Sequence, residues 1–276
     1  MVLENLAGFE GLRQHWRRIF VFGFFVNTVS LVVASVIFEP ASGLVSLFLV
    51  SAVAFPLVNK MFESEENLDV SGGEGFFQRH AEILKIYSAF FFGVLLSTAI
   101  AYFAMDTAHA NNTFNFQLSA LKNSAISDRA TGATFSTSTF NAVLANNIKV
   151  AVVSFLLSII FGAAAVFIIT WNASVIAVFI GILTKAAATP FIGFGILAAP
   201  LAFLYGFITA VGSIALHGTP EIMSYFVAAL AGGIISVGLE REKISSPRFR
   251  KVAKDGITLF ALAILLIFIA ASIEAY

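Results

Sequence analysis

The 276-residue chain contains no cysteine and few charged side chains. The missing cysteine excludes disulfides, thiolate metal sites and cysteine nucleophiles. Charged residues make up 12% of the sequence, with 16 acidic and 16 basic side chains, whereas about a quarter of a soluble domain is charged. So few charges cannot cover a water-soluble surface, and a nucleic-acid-binding protein would also need a basic surplus. Soluble enzymes, disordered proteins and nucleic-acid-binding proteins are therefore excluded.

Apolar residues form the majority of the chain. They form 59% of the chain, include 31 Phe and give a mean hydropathy of +0.92. A helix that crosses a bilayer needs about 20 mostly apolar residues. Seven such runs predict membrane-spanning helices: 19–38, 41–58, 83–105, 148–170, 173–189, 221–239 and 257–273. The first run follows three Arg residues, as in a signal peptide, but it is too long for one and is read as a retained span. The fold class predicted is an all-α polytopic membrane protein.

The distribution of Lys and Arg predicts the orientation. With the N-terminus in the cytoplasm, 12 of the 16 basic residues fall on the inside, as the positive-inside rule requires. We therefore expect a multi-pass protein of the cell membrane whose C-terminus lies outside. The predicted units are an N-terminal hairpin (1–62), an inner loop (63–82) and a transmembrane core (83–276) that contains an outer loop (106–147) and an inner basic loop (240–255).

One further apolar stretch, 200–216, is bordered by Pro and Gly residues on both sides. Such borders mark broken helices at membrane depth. The stretch also cannot be an additional crossing without inverting everything after it. We expect a re-entrant helix that enters from outside and returns; the alternative is a full span with a different topology downstream.

The predicted return point reads His217-Gly218-Thr219-Pro220-Glu221. Thr219 suits a helix N-cap, Pro220 the first helical position, and Glu221 the positive end of the helix dipole. A cap does not require His217, which adds a titratable group. The motif therefore has two interpretations, a helix cap alone or a functional outer site.

Three stretches resemble the stage II sporulation protein M family. Residues 140–162 combine an aromatic start, an Asn pair and a span that ends in Gly; His217-Gly218 is followed by Glu221; and Ala271-Ser272 precedes Glu274 at the end of the last span. The resemblance covers roughly residues 83–276, and the extra hairpin in front is similar to the broader prokaryotic and archaeal members. It implies a membrane scaffold, which in sporulating bacteria serves peptidoglycan-degrading partners during engulfment. It implies no catalytic residues.

Most of the ionisable residues of the spans are predicted to lie in one outer layer, and they form the candidate site: His217, Glu221, Lys185, Glu274 and Lys149, with Asn146 and Asn147 beside them. Charges within spans are costly and usually pair or face a cavity. We expect a polar vestibule in which Lys185 pairs with Glu221 or Glu274. The alternative is a set of side chains that reach separately for the headgroups.

No metalloprotease, serine-nucleophile or nucleotide-binding motif occurs, so the sequence predicts no enzyme, catalytic residue, metal site or cofactor. Two functions remain, a scaffold or assembly factor and a transporter or channel that uses the broken helix and the vestibule. The expected partners are the lipid bilayer and membrane or envelope proteins, with no nucleic acid. Two small-residue pairs on the sixth span, Ala228/Gly232 and Ala229/Gly233, suit helix packing within the chain or in a homo-oligomer.

Overall fold

The computed structural model describes residues 16–71, 76–122, 137–162, 165–187 and 189–276. These residues form α-helices, one 3₁₀ segment (Thr189–Leu197) and no strand. The helices are α1 (Trp16–Ile37), α2 (Ser42–Ser71), α3 (Phe76–Ala104), α4 (Thr107–Thr113), α5 (Asn115–Lys122), α6 (Thr137–Phe161), α7 (Ala165–Ala186), α8 (Ala198–Arg241) and α9 (Pro247–Ala275). Seven of them are long and apolar enough to cross a membrane. The predicted all-α polytopic class is confirmed.

The long helices alternate in direction, so the bundle has two ends. We call the end where α8 is followed by α9, at residues 241–247, the basic end. We call the end that carries α4 and α5 the loop end. The two short helices occupy the first part of the predicted outer loop, and Phe114 and Gln117 are buried where α5 meets the bundle. Of the rest of the predicted outer loop, residues 137–147 form the first turns of α6, and residues 123–136 lie outside the described residues.

Helix α8 is the centre of the bundle. Residues 224–235 are buried almost without interruption, and α8 packs against α2, α3, α6, α7 and α9. The rings of Phe226 and Phe91 meet edge to face at 5.4 Å, with Tyr87 beside them. A helix that is apolar on all sides can be buried in this way because it has no polar face to keep in contact with water.

Close helix contacts depend on glycine. A Cβ atom on Gly93 of α3 would lie 2.3 Å from the backbone oxygen of Phe20 in α1, and one on Gly23 of α1 would lie 2.8 Å from that of Phe90. The absence of a side chain at both positions lets the two backbones touch. Small residues serve the same purpose at helix interfaces in membranes generally.

The structure differs from the predicted break at residues 217–221. Helix α8 runs for 44 residues through Pro220, so the chain does not turn back there, and a separate re-entrant helix is not confirmed. The interruption lies earlier, in the 3₁₀ segment, where Gly195 has φ 57° and ψ −129°. Proline leaves the carbonyl of residue 216 without its helical donor, a loss that neighbouring packing and Ser or Thr hydroxyls can offset in buried helices. At about 1.5 Å per residue α8 is roughly 66 Å long, about twice the hydrocarbon thickness.

The two halves of α8 have different neighbours. In the first half, Gly206 lies against Thr184 of α7, and Phe203 stacks edge to face with Phe103 of α3 at 5.4 Å. In the second half, Gly232 lies against α6 and Gly233 against α2, while Ile235 meets Gly256 of α9. One helix therefore joins the α3–α7 side of the bundle to the α6–α9 side.

Candidate functional site

A hydrogen-bonded cluster on α6 and α8 contains part of the predicted site. The hydroxyl of Tyr225 lies 2.9 Å from Oδ1 of Asn147 and 2.9 Å from Oε1 of Glu221. Tyr225 and Glu221 are four residues apart, so they share one face of α8. Asn147 comes from α6 and is 2% exposed. We call Glu221, Tyr225 and Asn147 the tyrosine cluster.

The hydrogen bonds of this cluster require more than one proton donor. A tyrosine has a single O–H, which can be donated to only one of the two oxygens at a time. The second short contact is satisfied either by a proton on Glu221 or by the rotated amide of Asn147, which would present its NH₂ to the hydroxyl. In the present orientation Nδ2 of Asn147 is buried without a partner, while Oδ1 also accepts from Nδ2 of Asn146 at 3.2 Å. The Tyr225 hydroxyl thus joins a carboxyl group on α8 to an amide on α6.

The last residues of α9 lie beside the tyrosine cluster. The charge of Glu274 is close enough to interact with Tyr225. Helices α8 and α9 are antiparallel, with Gly238 near Val252 and Gly256 near Ile235, and extending this register places Glu274 opposite His217. Both of these side chains and Glu221 are half-buried. Three of the predicted site residues, His217, Glu221 and Glu274, therefore share one region with Asn147.

The prediction that Lys185 pairs with Glu221 or Glu274 is not matched by the structure. Its ammonium donates to the backbone oxygen of Met105 at 2.7 Å and lies 4.8 Å from the ring centre of Tyr102. Because Thr184 is beside Gly206, Glu221 lies about 22 Å further along α8, at 1.5 Å per residue. Sequence reasoning placed both residues in one layer because it assumed that α8 began near residue 220.

Lys185 belongs to a second polar group at the loop end. The Asp106 carboxylate is near enough to attract it. Asp106 caps α4 by accepting from the His109 backbone N–H at 3.0 Å, and its other oxygen lies 2.7 Å from Nδ1 of His109. These two contacts hold the pKa of the Asp106 carboxyl below its ordinary value, the backbone bond more than the side-chain bond.

Four further predicted residues lie outside the tyrosine cluster: Thr219, Pro220, Lys149 and Asn146. Thr219 does not cap a helix; its hydroxyl donates to the carbonyl of Ala215 at 2.6 Å, and Thr219 and Pro220 both lie inside α8. Lys149 is exposed on α6, and Asn146 is exposed beside Asn147.

The small-residue pairs of the sixth span are used within the chain. Ala228, Ala229, Gly232 and Gly233 are all buried. A Cβ atom on Gly232 would lie 2.2 Å from the backbone oxygen of Phe155, and one on Gly233 would lie 2.4 Å from the Phe62 ring. Gly232 thus lets α6 approach α8 closely, and Gly233 does the same for α2. Self-association of the chain stays a prediction, and these residues do not provide its surface.

Sequence reasoning missed Tyr225. It lies in an apolar run, where an aromatic residue is expected to pack in the core, and it is indeed 3% exposed. The available signal was its spacing of four residues from Glu221, which places a phenol and a carboxyl on one helix face. That signal becomes visible only if the helix already includes residue 221. Among the described residues no three His, Asp or Glu side chains converge as metal ligands would.

The chain matches a known protein family. Residues 86–276 match the family described as stage II sporulation protein M, which confirms the resemblance found in the sequence. No curated protein and no solved structure matches the chain. Since the match covers more than half of its length, the chain belongs to the stage II sporulation protein M family.

Proposed function

We propose that the protein is a non-enzymatic membrane scaffold that holds a partner from the membrane or envelope beside the tyrosine cluster. In this proposal the basic end faces the cytoplasm, as the distribution of Lys and Arg favours, and the loop end and the C-terminus face outward across the cell membrane. Membership of the stage II sporulation protein M family supports the proposal, because the resemblance to that family implies a membrane scaffold. The partner, not this chain, would supply any chemistry.

The main observation in support of the proposal is that Tyr225 of α8 is hydrogen-bonded to α6 and lies near the end of α9. Its hydroxyl connects α8 to α6 through Asn147, and Glu274 brings the end of α9 into the same region. Glu221 and Glu274 are both half-buried, so each keeps part of its surface for another molecule. Two acidic side chains held on packed helices suit a partner that presents a Lys, an Arg or backbone N–H groups.

The packing of α8 below the tyrosine cluster favours a docking site for a partner over a path for a transported solute. The α8 residues that follow Tyr225 are buried as far as Ile235, and the Gly232 backbone approaches that of Phe155. A path along α8 would have to separate helices that touch at their backbones. A docking site needs no such opening.

The test is recovery of partner proteins from native membranes with the tagged full-length chain. Glu221→Gln and Glu274→Gln should each reduce recovery about tenfold, the usual cost of losing one charged hydrogen bond. Glu240→Gln is the matched control, because it makes the same change at an exposed position of α8 near the basic end, away from the tyrosine cluster. Unfolding curves in detergent verify that the variants fold. Equal recovery by all three variants would contradict the proposal.

Transport is the second candidate, and a separate observation favours it. Nδ2 of Asn147 and the hydroxyls of Ser154 and Ser158 are buried on one face of α6, and none of them has a hydrogen-bond partner among the described residues. Buried polar atoms of this kind are often bridged by water, and a row of waters can carry protons. Proton flux into liposomes with the purified chain, reduced severalfold by Ser158→Ala but not by Ser119→Ala, would favour transport over the scaffold. No flux above that of empty liposomes would exclude it under these conditions.

A further inference from the structure

A groove at the basic end carries an inference that is independent of the scaffold proposal. It lies on the first turns of α9 beside the loop from α8 and has a volume of about 360 Å³. Apolar side chains of Ile244, Phe249 and Ile257 line it together with the charged side chains of Arg250 and Lys254. The combination of an apolar lining with two cations is uncommon on a chain with so few charges.

The two cations stand on the same side of α9 and lack acidic partners. Arg250 and Lys254 are four residues apart, one helical turn, and both are exposed. The neighbouring Arg248 is already engaged, at 3.5 Å from a carboxylate oxygen of Glu242. No carboxylate of the described residues forms an ion pair with Arg250 or Lys254. A pair of cations that the protein does not neutralise favours an anionic ligand.

The apolar part of the groove continues into the lipid-facing surface. Ile244 is 69% exposed and Ile257 is 63% exposed, although both are large hydrophobic residues. From Ile257 the exposed stripe of α9 continues through Leu265, Phe268 and Ile269, at the spacing of one helix face. A ligand held by Arg250 and Lys254 would therefore have an apolar track leading from its charged group into the hydrocarbon.

We propose that this groove binds an anionic phospholipid. Its phosphate lies between Arg250 and Lys254, and its acyl chains follow Ile257 and Leu265. A basic pocket between helix ends at the membrane surface suits such a headgroup. A soluble phosphate would satisfy the cations but would leave the apolar track uncovered.

Native mass spectrometry of the detergent-solubilised full chain tests the proposal by counting retained lipid. Phosphatidylglycerol and phosphatidylcholine with identical acyl chains are the two probes. Phosphatidylglycerol should bind about tenfold or more tightly, and the double variant Arg250→Gln/Lys254→Gln should remove that preference, since each basic residue near a headgroup contributes a several-fold gain in affinity. The double variant Lys243→Gln/Arg248→Gln removes as many charges from the same region without touching the groove, and it should keep the preference.

Two further measurements distinguish binding of the whole lipid from binding of a phosphate group alone. Ile257→Ser should weaken phosphatidylglycerol severalfold while leaving the melting temperature in detergent unchanged, because Ile257 is exposed. Inorganic phosphate at millimolar concentration should not displace the lipid. Equal loss in both double variants would indicate general surface charge and overturn the proposal. Equal retention of the two lipids, or displacement by phosphate alone, would overturn it as well.

Discussion

At the scale of single residues, the phenol of Tyr225 is buried and contacts two polar side chains, Asn147 and Glu221. Its environment could not be read from the sequence, because the run around it is uniformly apolar and the helix that places Glu221 one turn away was expected to begin only at residue 220. Asn147 was predicted as part of the candidate site because it lies beside Lys149, and in the structure its side chain has the Tyr225 hydroxyl as a hydrogen-bond partner. The sequence did not reveal that this partner would be an aromatic hydroxyl on α8.

Tyr225→Phe tests the cluster by removing one oxygen. The substitution leaves a buried Asn147 and a half-buried Glu221 without their shared partner, so we expect the free energy of unfolding to fall by about 1–3 kcal/mol. Unfolding in mixed micelles with increasing denaturing detergent measures the change. Tyr205→Phe is the control, because Tyr205 is 52% exposed on the same helix; a loss of similar size there would show that the cluster does not matter.

Asp106 gives a prediction about pH. Its folded pKa is below its ordinary value, because the His109 backbone N–H and side chain favour the carboxylate. The charged form therefore contributes stability above the ordinary pKa of about 4, and that contribution disappears as the pH falls through the lowered folded value.

Asp106→Asn isolates the charge, since an Asn side chain still caps a helix. We expect this variant to melt at a lower temperature than the native chain at pH 6, with the difference shrinking below pH 4. Thermal melts across that range provide the measurement. A difference that stays constant down to pH 2.5 would contradict the assignment.

At the scale of elements, the apolar runs were enough to predict every long helix, because about 20 apolar residues have few other stable arrangements in a bilayer. The continuity of α8 was harder to predict from the sequence. Pro220 and the glycines around it are typical of a break, but the break is in the 3₁₀ segment at Gly195, where a positive φ is present. Local residue preferences could not decide between the two positions, since packing against α6, α7 and α9 holds the helix together through the proline.

The contact between α1 and α3 predicts a large difference between two glycine substitutions. Gly93→Ala would place a Cβ atom 2.3 Å from the Phe20 backbone oxygen, whereas Gly212→Ala on α8 meets nothing within 4 Å. We expect Gly93→Ala to cost about 1–3 kcal/mol, as overpacking usually does. Gly212→Ala should be neutral or stabilise by up to about 1 kcal/mol through helix propensity. Denaturing-detergent titrations of both variants give the comparison, and equal effects would contradict the close contact.

At the scale of the whole molecule, cysteine labelling measures the orientation of the bundle. A single cysteine can be introduced without background, because the chain has none. We expect Ser246→Cys, at the basic end, to react with a membrane-impermeant thiol reagent only after the membrane is opened. Ser119→Cys, which is exposed on α5, should react in intact cells. The reverse result would invert the proposed topology and place the tyrosine cluster on the cytoplasmic side.

The unbroken α8 also has a mechanical consequence. Pro220 stands at its midpoint, with about 22 residues and some 33 Å on either side. If α8 pivots at the proline, it acts as a lever with its fulcrum at Pro220. A rotation of about 10° would carry each tip through roughly 6 Å, while His217, Glu221 and Tyr225, close to the fulcrum, would hardly move. A molecule bound beside Pro220 would therefore keep its contacts during such a rotation. The α3–α7 side and the basic end would be displaced in opposite directions.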